Sequence, residues 1–493
     1  VRHVLALDQG TTGSTALVIA EDGRVVGRGY REITQHFPEP GWVEHDAEEI
    51  FARTMEAARE ALAMAKVKPE AMGITNQRET IVLWDRKTGK PLERAIVWQD
   101  RRTTRRCAAL REAGQAPAIY AATGLVTDPY FSATKLEWLL KERARGVSPD
   151  SLAAGTIDSW LVWKLTNGAV HATDPTNASR TMLFDIGEKQ WSDQLCALFG
   201  VPREILPEVR ASSSDFGVAA AEHFGMSMPI LGVAGDQQSA LFGQGCWNAG
   251  QSKNTYGTGA FLLFHTGNAR PVGGHGMLTT LCCDAEGKAA YALEASIFVA
   301  GAAVQWLRDG LGLVARAGET EAMARSLESN DGVYFVPALT GLGAPHWEPE
   351  ARGTIVGLTR GTSKEHLVRA ALEAMAYGTA DVLEAMRGAS GAPLDVLRVD
   401  GGAAQNDWLM QFQSDVLGVP VERPDLVETT ALGAAGLAGI AGGVWPNAKA
   451  FHSARAFSRF EPAQGTNVAK TGLGGWRRAT RAAVSWARDK DNG

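Results

Sequence analysis

Four short polar segments carry the residue types that phosphate and polyol chemistry needs. Asp8-Gln9-Gly10-Thr11-Thr12-Gly13-Ser14 sets a carboxylate beside glycines and hydroxyl residues whose backbone N–H groups can surround phosphate oxygens. The same segment also reads as an ordinary polar hairpin turn. Gly257-Thr258-Gly259 is a second such turn, and Val399-Asp400-Gly401-Gly402-Ala403, followed by Asn406, is a third. A glycine-rich strand-to-helix junction lets backbone approach a flat ligand or a phosphate, although it also serves as a plain connection. Gly235-Asp236-Gln237-Gln238 follows the apolar run 230–234, so Asp236 ends a buried strand. A carboxylate there is either functional or the N-cap of the helix that follows.

Two further segments suit a sugar-like ligand. Asn76-Gln77-Arg78-Glu79 ends the short strand 71–75, and Trp98-Gln99-Asp100 ends the strand 95–97. Adjacent Arg and Glu can grip a polyol, one donating in pairs and the other accepting, or can form a solvated surface pair. Trp98 suits ligand stacking or simple apolar cover. The chain has no GxxxxGK[ST], no GxGxxG opening a helix after a strand, no HRD or DFG, no GxSxG and no HExxH. P-loop, Rossmann, protein-kinase, serine-hydrolase and zincin chemistry therefore lack an anchor, while other phosphate chemistry stays open.

The elements that must hold these segments repeat. A strand from Val4, the turn at 10–13, a strand 15–20, an Asp22-Gly23 turn and a strand from Arg24 make a tight meander. The pattern returns half a chain later with 254–256, the turn at 257–259, a strand 260–265 and two strand-like runs joined across Glu286-Gly287. This duplication predicts two related α/β domains across a cleft, divided as 1–245 and 246–493 near the small-residue stretch 243–250. Asp46-Ala47-Glu48-Glu49 predicts a capped helix over 50–65, and Thr362-Ser363-Lys364-Glu365 another over 367–386.

Composition narrows the classes. The 493 residues are 45% hydrophobic and 21% charged, the range of globular proteins. With 49 Lys plus Arg against 55 Asp plus Glu, a formal charge of −6 offers no general attraction to nucleic acid or anionic lipid. Cys107, Cys196, Cys246, Cys282 and Cys283 are scattered and never spaced CxxC, which points to a reducing cytoplasm rather than a disulfide framework or zinc ribbon. The strand at Val4 leaves no room for a leader, so secretion is not expected. The uncharged run 429–446, rich in Gly and Ala, predicts a closely packed buried helix rather than a membrane span.

Over nearly its whole length the chain resembles the FGGY carbohydrate kinases, which have two actin-like (ribonuclease H-like) ATPase domains facing a central cleft. Tyr130-Phe131-Ser132-Ala133-Thr134-Lys135-Leu136-Glu137-Trp138 is similar to the first family signature. The stretch from Gly353-Thr354-Ile355-Val356-Gly357-Leu358 to His366 and Glu373 is similar to the second. Segments 76–80, 35–46 and 235–238 resemble the glycerol-phosphorylating branch, whereas pentulose kinases typically carry a QMHG-like segment in place of 76–79.

By that resemblance, glycerol is expected to meet Arg78, Glu79, Tyr130, Asp236 and Gln237, with Trp98 and Phe261 against its carbons. ATP is expected at Thr11, Thr12, Gly13, Thr258, Gly301, Gln305, Gly402 and Asn406. Magnesium is expected near Asp8 and Asp236, with Asp236 also taking the hydroxyl proton, and a homodimer or homotetramer is expected. The chain departs from the family where Arg is common and it has Thr15, and where Ser is frequent and it has Gly13. Inhibition by fructose 1,6-bisphosphate is expected to be weak or absent, since 225–229 lacks the arginine that some relatives use. Two other readings remain: a family kinase acting on a ketose or another polyol, and an actin-like ATP-driven switch without a small acceptor.

Overall fold

The computed structural model describes residues 1–274, 276–426, 428–463 and 467–489. Its first sheet begins with the expected meander, β1 (His3–Gln9), β2 (Gly13–Ala20) and β3 (Val25–Glu32), paired antiparallel in sequence order. Helix α1 (Ala47–Ala65) follows, with the Asp46 side chain accepting from the N–H groups of Glu48 and Glu49. The box is open, because Glu49 turns instead to the backbone and hydroxyl of Thr34. Strand β4 (Ala71–Asn76) then lies parallel to β1.

Beyond β4 the chain builds a smaller four-stranded sheet from Glu44–His45, Ile81–Asp85, Ala95–Ile96 and Leu152–Thr156. It also builds helix α2 (Ser132–Arg143) before returning through β5 (Val218–Ala219) and β6 (Met228–Gly235). The complete six-stranded order is β5-β6-β4-β1-β2-β3, with β6 parallel to β4. Helix α3 (Asp236–Gly243) leaves the end of β6.

The second sheet repeats this plan. Strands β7 (Gln251–Tyr256), β8 (Ala260–Gly267), β9 (Leu278–Cys283) and β10 (Ala289–Ile297) pair antiparallel, with β8 between β7 and β10. Helix α4 (Gly301–Asp309) and the long helix α5 (Lys364–Ser390) precede β11 (Val396–Gly401), which lies parallel to β7 as β4 does to β1. Helix α5 begins three residues before the expected 367 and runs four residues past 386. Ser363 is its N-cap, and His366 rather than Glu365 closes the capping box. Helix α6 (Asp407–Leu417), β12 (Val421–Pro424), helix α7 (Thr429–Ala441), β13 (Phe457–Phe460) and helix α8 (Asn467–Arg488) complete the order β9-β10-β8-β7-β11-β12-β13. No helix among the described residues is long and apolar enough to cross a membrane.

Helix α7 is the uncharged Gly/Ala run, and every residue from Ala431 to Gly439 is buried. It lies between β12 and β13 of the second sheet in sequence but packs on β1, β4, β6 and α3 of the first. Its lack of bulk makes this possible: a Cβ on Gly433 would stand 1.8 Å from the Ser239 carbonyl oxygen on α3. A division of the chain at 245/246 therefore separates α7 from the strands that bury it.

Close backbone packing leaves no room to relax, so Gly433→Ala is expected to cost about 3 kcal/mol, the upper end for overpacking. Gly388→Ala, in exposed α5 backbone with nothing within 4 Å of the new methyl, is expected to stabilise by about 0.5–1 kcal/mol through helix propensity. Thermal unfolding of the two variants tests this, and equal midpoints would contradict the packing account.

Candidate active site

The parallel strands of the first sheet end together. In register, Asp8 on β1 lies beside Thr75 on β4, which lies beside Ala234 on β6, so Asp236 emerges just past the same level. Carboxyl ends of parallel strands are where open α/β sheets hold ligands. Gly235, not Asp236, occupies the N-cap position of α3, and the Asp236 carboxylate accepts the N–H of Gln237 at 2.7 Å. Its side chain stays 32% exposed, whereas neighbouring Arg78 is 3% exposed. Burial and the Asp236 charge push the Asp8 carboxyl up to about 7, and burial raises Asp236 against the pull of Arg78. Two facing carboxylates that resist joint ionisation suit a hard divalent cation, which commonly keeps most of its water beside one or two protein oxygens. Asp8 and Asp236 could hold magnesium in that way.

The segment after β4 is pinned residue by residue. The Gln77 N–H donates to the Gln9 carbonyl at 2.7 Å, and Thr80 Oγ1 donates to Gln77 Oε1 at 2.8 Å. Glu79 has φ 63°, a left-handed conformation costly for a side-chain-bearing residue, and Ser132 at the start of α2 donates to its carbonyl at 2.8 Å. Lys135, one turn along α2, donates to the Tyr130 carbonyl at 3.1 Å, and burial depresses its ammonium to about 7. Sequence reasoning quoted Ser132 and Lys135 only as parts of a signature, without these tasks.

Arg78 runs beneath Gly235, where a Cβ would come within 2.8 Å of its Cγ. Its Nη1 and Nη2 donate to the two oxygens of Glu294 at 2.6 and 2.9 Å, and Nη1 also reaches Gln238 Oε1 at 3.2 Å. Its Nε faces Asp236 at 3.4 Å and Glu79 at 3.6 Å. Glu79 Oε1 accepts Arg180 Nε at 2.7 Å, while no donor among the described residues reaches Glu79 Oε2. The solvated-pair reading of Arg78 and Glu79 is thereby excluded, since both are buried.

Tyr130 packs edge-on to Trp98 with ring centroids 5.5 Å apart, and Trp98 Nε1 donates to Thr11 Oγ1 at 3.0 Å. One side of the pocket is thus tied to the first glycine turn. Gln237 Oε1 accepts Lys253 Nζ at 2.6 Å, and Phe261 on β8 is 39% exposed.

Glu294, Arg180 and Lys253 belong to this cluster and were missed from sequence. Glu294 and Lys253 did leave a signal, a charge inside a strand pattern that the second sheet must bury. Arg180 follows a four-residue helix (Pro175–Ala178) and has no periodicity to betray it. Burial would raise Glu294, but Arg180 and Arg78 hold it down to about 2.

A separate cavity of about 470 Å³ opens between the turns of the second half. Thr258, Gly301, Gln305, Gly402 and Asn406 all line it, while Thr11, Thr12 and Gly13 stand apart at the end of β1. The N–H of Gly301 is spent on the Gly257 carbonyl at 3.0 Å, so what Gly301 offers a ligand is an absent side chain. Gly401 requires glycine, with φ 88° and a Cβ position 2.2 Å from the Tyr256 carbonyl oxygen, but a Cβ on Gly402 meets nothing within 4 Å. Asn406 caps α6 through Oδ1, 2.9 Å from the Leu409 N–H, so its capping role is real beside any ligand role. Thr15 pairs with Asp8 across the β1–β2 ladder, and Gly13 is tightly packed, since a Cβ there would stand 2.5 Å from the Arg31 carbonyl oxygen.

Model matches cover both halves: the N-terminal domain of the FGGY family of carbohydrate kinases over residues 3–243 and its C-terminal domain over 252–442. The chain is 52% identical to a glycerol kinase of Halorhodospira halophila, over 100% of this chain and 98% of that protein. It is 55% identical to one of Rhodopirellula baltica, over 90% of this chain and 84% of that one. The structure of Plasmodium falciparum glycerol kinase with ADP superposes with a TM-score of 0.92 at 36% identity, over 98% of each chain. A ligand-bound xylulose kinase of Lactobacillus acidophilus shares the fold at a TM-score of 0.87 and 19% identity, over 99% of each chain. With both domain models matched in order and relatives above 50% identity along its length, the chain belongs to the FGGY family of carbohydrate kinases.

Proposed function

We propose that the protein transfers the γ-phosphoryl group of ATP to a primary hydroxyl of glycerol, giving sn-glycerol 3-phosphate and ADP. The observation that carries this reading is the convergence of a buried Arg78–Glu79 pair, the partly exposed Asp236 carboxylate and the Trp98–Tyr130 aromatic pair, whose Tyr130 ring lies 5.8 Å from the Arg180 guanidinium that binds Glu79. A triol offers hydroxyls to donors and acceptors and a carbon face to rings. Arg78 keeps one Nη2–H beyond those given to Glu294, and Glu79 Oε2 is open to accept. Phe261 from the second half and Gln237 from α3 would border the acceptor as well. Thr258, Gly301, Gln305, Gly402 and Asn406 would hold the nucleotide, with Thr11, Thr12 and Gly13 facing its phosphates.

Asp236 orients the acceptor hydroxyl and takes its proton late, since a carboxylate is a weak base toward an alcohol even when burial raises it. As the O–H bond yields to Asp236, the hydroxyl oxygen bonds to the γ-phosphorus and the bond to the ADP oxygen breaks in line. Magnesium, when bound near Asp8 and Asp236, supplies positive charge to the phosphate oxygens. Packing of the two sheets around the pocket keeps bulk water from competing as acceptor. The reading also carries a cytoplasmic setting, where the five buried cysteines stay as thiols, and a homodimer or homotetramer as the assembled state.

Asp236→Asn is expected to lower kcat about 10²–10⁴-fold, the usual worth of a positioned proton acceptor, with the ATP KM within about threefold of the parent. Steady-state kinetics with glycerol tests it, and retained kcat would sink the role of Asp236. Gly402→Val, whose side chain enters open space in the nucleotide cavity, is expected to raise the ATP KM at least about tenfold with the glycerol KM unchanged. An unaltered ATP KM would place the nucleotide elsewhere.

A further inference from the structure

Glu294 sits in the middle of β10, on the second sheet, yet its carboxylate is consumed by the first half of the chain. Arg78 grips it through two N–H···O bonds, and Arg180 reaches Oε1 at 3.2 Å from the other side. Arg180 is fully buried, and with Glu79 the four side chains alternate in sign around a closed ring, Arg78–Glu294–Arg180–Glu79. Arg78 has a third anionic neighbour in Asp236, 3.4 Å from Nε and closer to it than Glu79. A guanidinium freed at both Nη groups would turn its fork toward that carboxylate, because paired N–H···O bonds are the preferred Arg–carboxylate geometry.

We propose that Glu294 is a positioning residue for phosphoryl transfer: by occupying the fork of Arg78 it keeps the guanidinium from closing on Asp236. Asp236 is then left for the acceptor hydroxyl, and Arg78 presents its remaining Nη2–H to the polyol. The device works only when β10 lies against the 76–79 segment, so the acceptor pocket is complete only with the two sheets together. The inference rests on the polyol-kinase reading above.

The test is steady-state kinetics of the full chain with Glu294→Gln and Glu294→Asp, with Glu422→Gln as control. Glu422 pairs with Arg398 inside the second sheet, away from the pocket. Glu294→Gln keeps the shape and removes the charge, so the glycerol KM is expected to rise and kcat to fall, each about tenfold or more as for a misplaced positioning group. The ATP KM should stay within about threefold, and Glu294→Asp should recover part of both losses. Glu422→Gln should change thermal stability without splitting the two KM values. A Glu294→Gln enzyme with parental glycerol KM and kcat, or one whose two KM values rise together, overturns the proposal. If Glu294→Gln fails to bind ATP, Glu294→Asp decides: a raised glycerol KM alone supports positioning, and parental values overturn it. A parent that prefers another polyol refutes the glycerol reading while the same split is read with that acceptor, and a parent with no acceptor at all overturns both.

Discussion

Burying charge without a partner is among the costliest things a fold can do, and this one buries two arginines and two glutamates at a single point. Arg78, Glu79 and Arg180 come from the first half and Glu294 from the second, so neither half alone satisfies the set. The consequence is geometric rather than a gain in stability. Buried ion pairs are weak sources of net stability, but breaking one is expensive, and this makes a ring of four a stringent condition on how the two sheets meet. The acceptor pocket is formed by that meeting.

A second bond between the halves works by the opposite physics. Helix α7 has almost nothing to offer but small apolar residues, and for that reason its backbone lies against α3 and the first sheet. Its first residue, Thr429, donates to Asp400 Oδ2 at 2.6 Å, and Gln244, just beyond α3, donates to the same oxygen at 2.7 Å. Asp400 stands next to the Gly401–Gly402 turn that borders the cavity of the second half. The turn that borders this cavity and the helix that packs on the first sheet therefore share one carboxylate.

How much of this could be read beforehand depends on whether the responsible interaction is local. The strand–turn–strand units at 3–32 and 251–267 were legible because alternation and turn chemistry are encoded within a few residues, and Asp46 announced its helix for the same reason, whereas the second helix is capped by Ser363 and His366 rather than by Thr362 and Glu365. The glycine turns were visible as turns, but their different constraints were not. Only the folded chain reveals that Gly401 must be glycine for its backbone, whereas Gly402 is free on the protein side. The family resemblance supplied the pocket residues that pattern alone left balanced against surface pairing and capping. Glu294 and Arg180 were reached by neither route: a charge inside a strand marks Glu294 as unusual, but its task shows only once the strand is known to face two arginines 216 and 114 residues away in sequence.

The central claim is that this pocket holds glycerol as the acceptor of the phosphoryl group. The most direct measurement is ADP release by the purified chain with magnesium and ATP against glycerol, dihydroxyacetone, erythritol, xylulose and ribulose, each beside a control with no acceptor. The account predicts a large rate with glycerol and little without an acceptor. Faster turnover with a ketose, or ADP release that ignores the acceptor altogether, would contradict it.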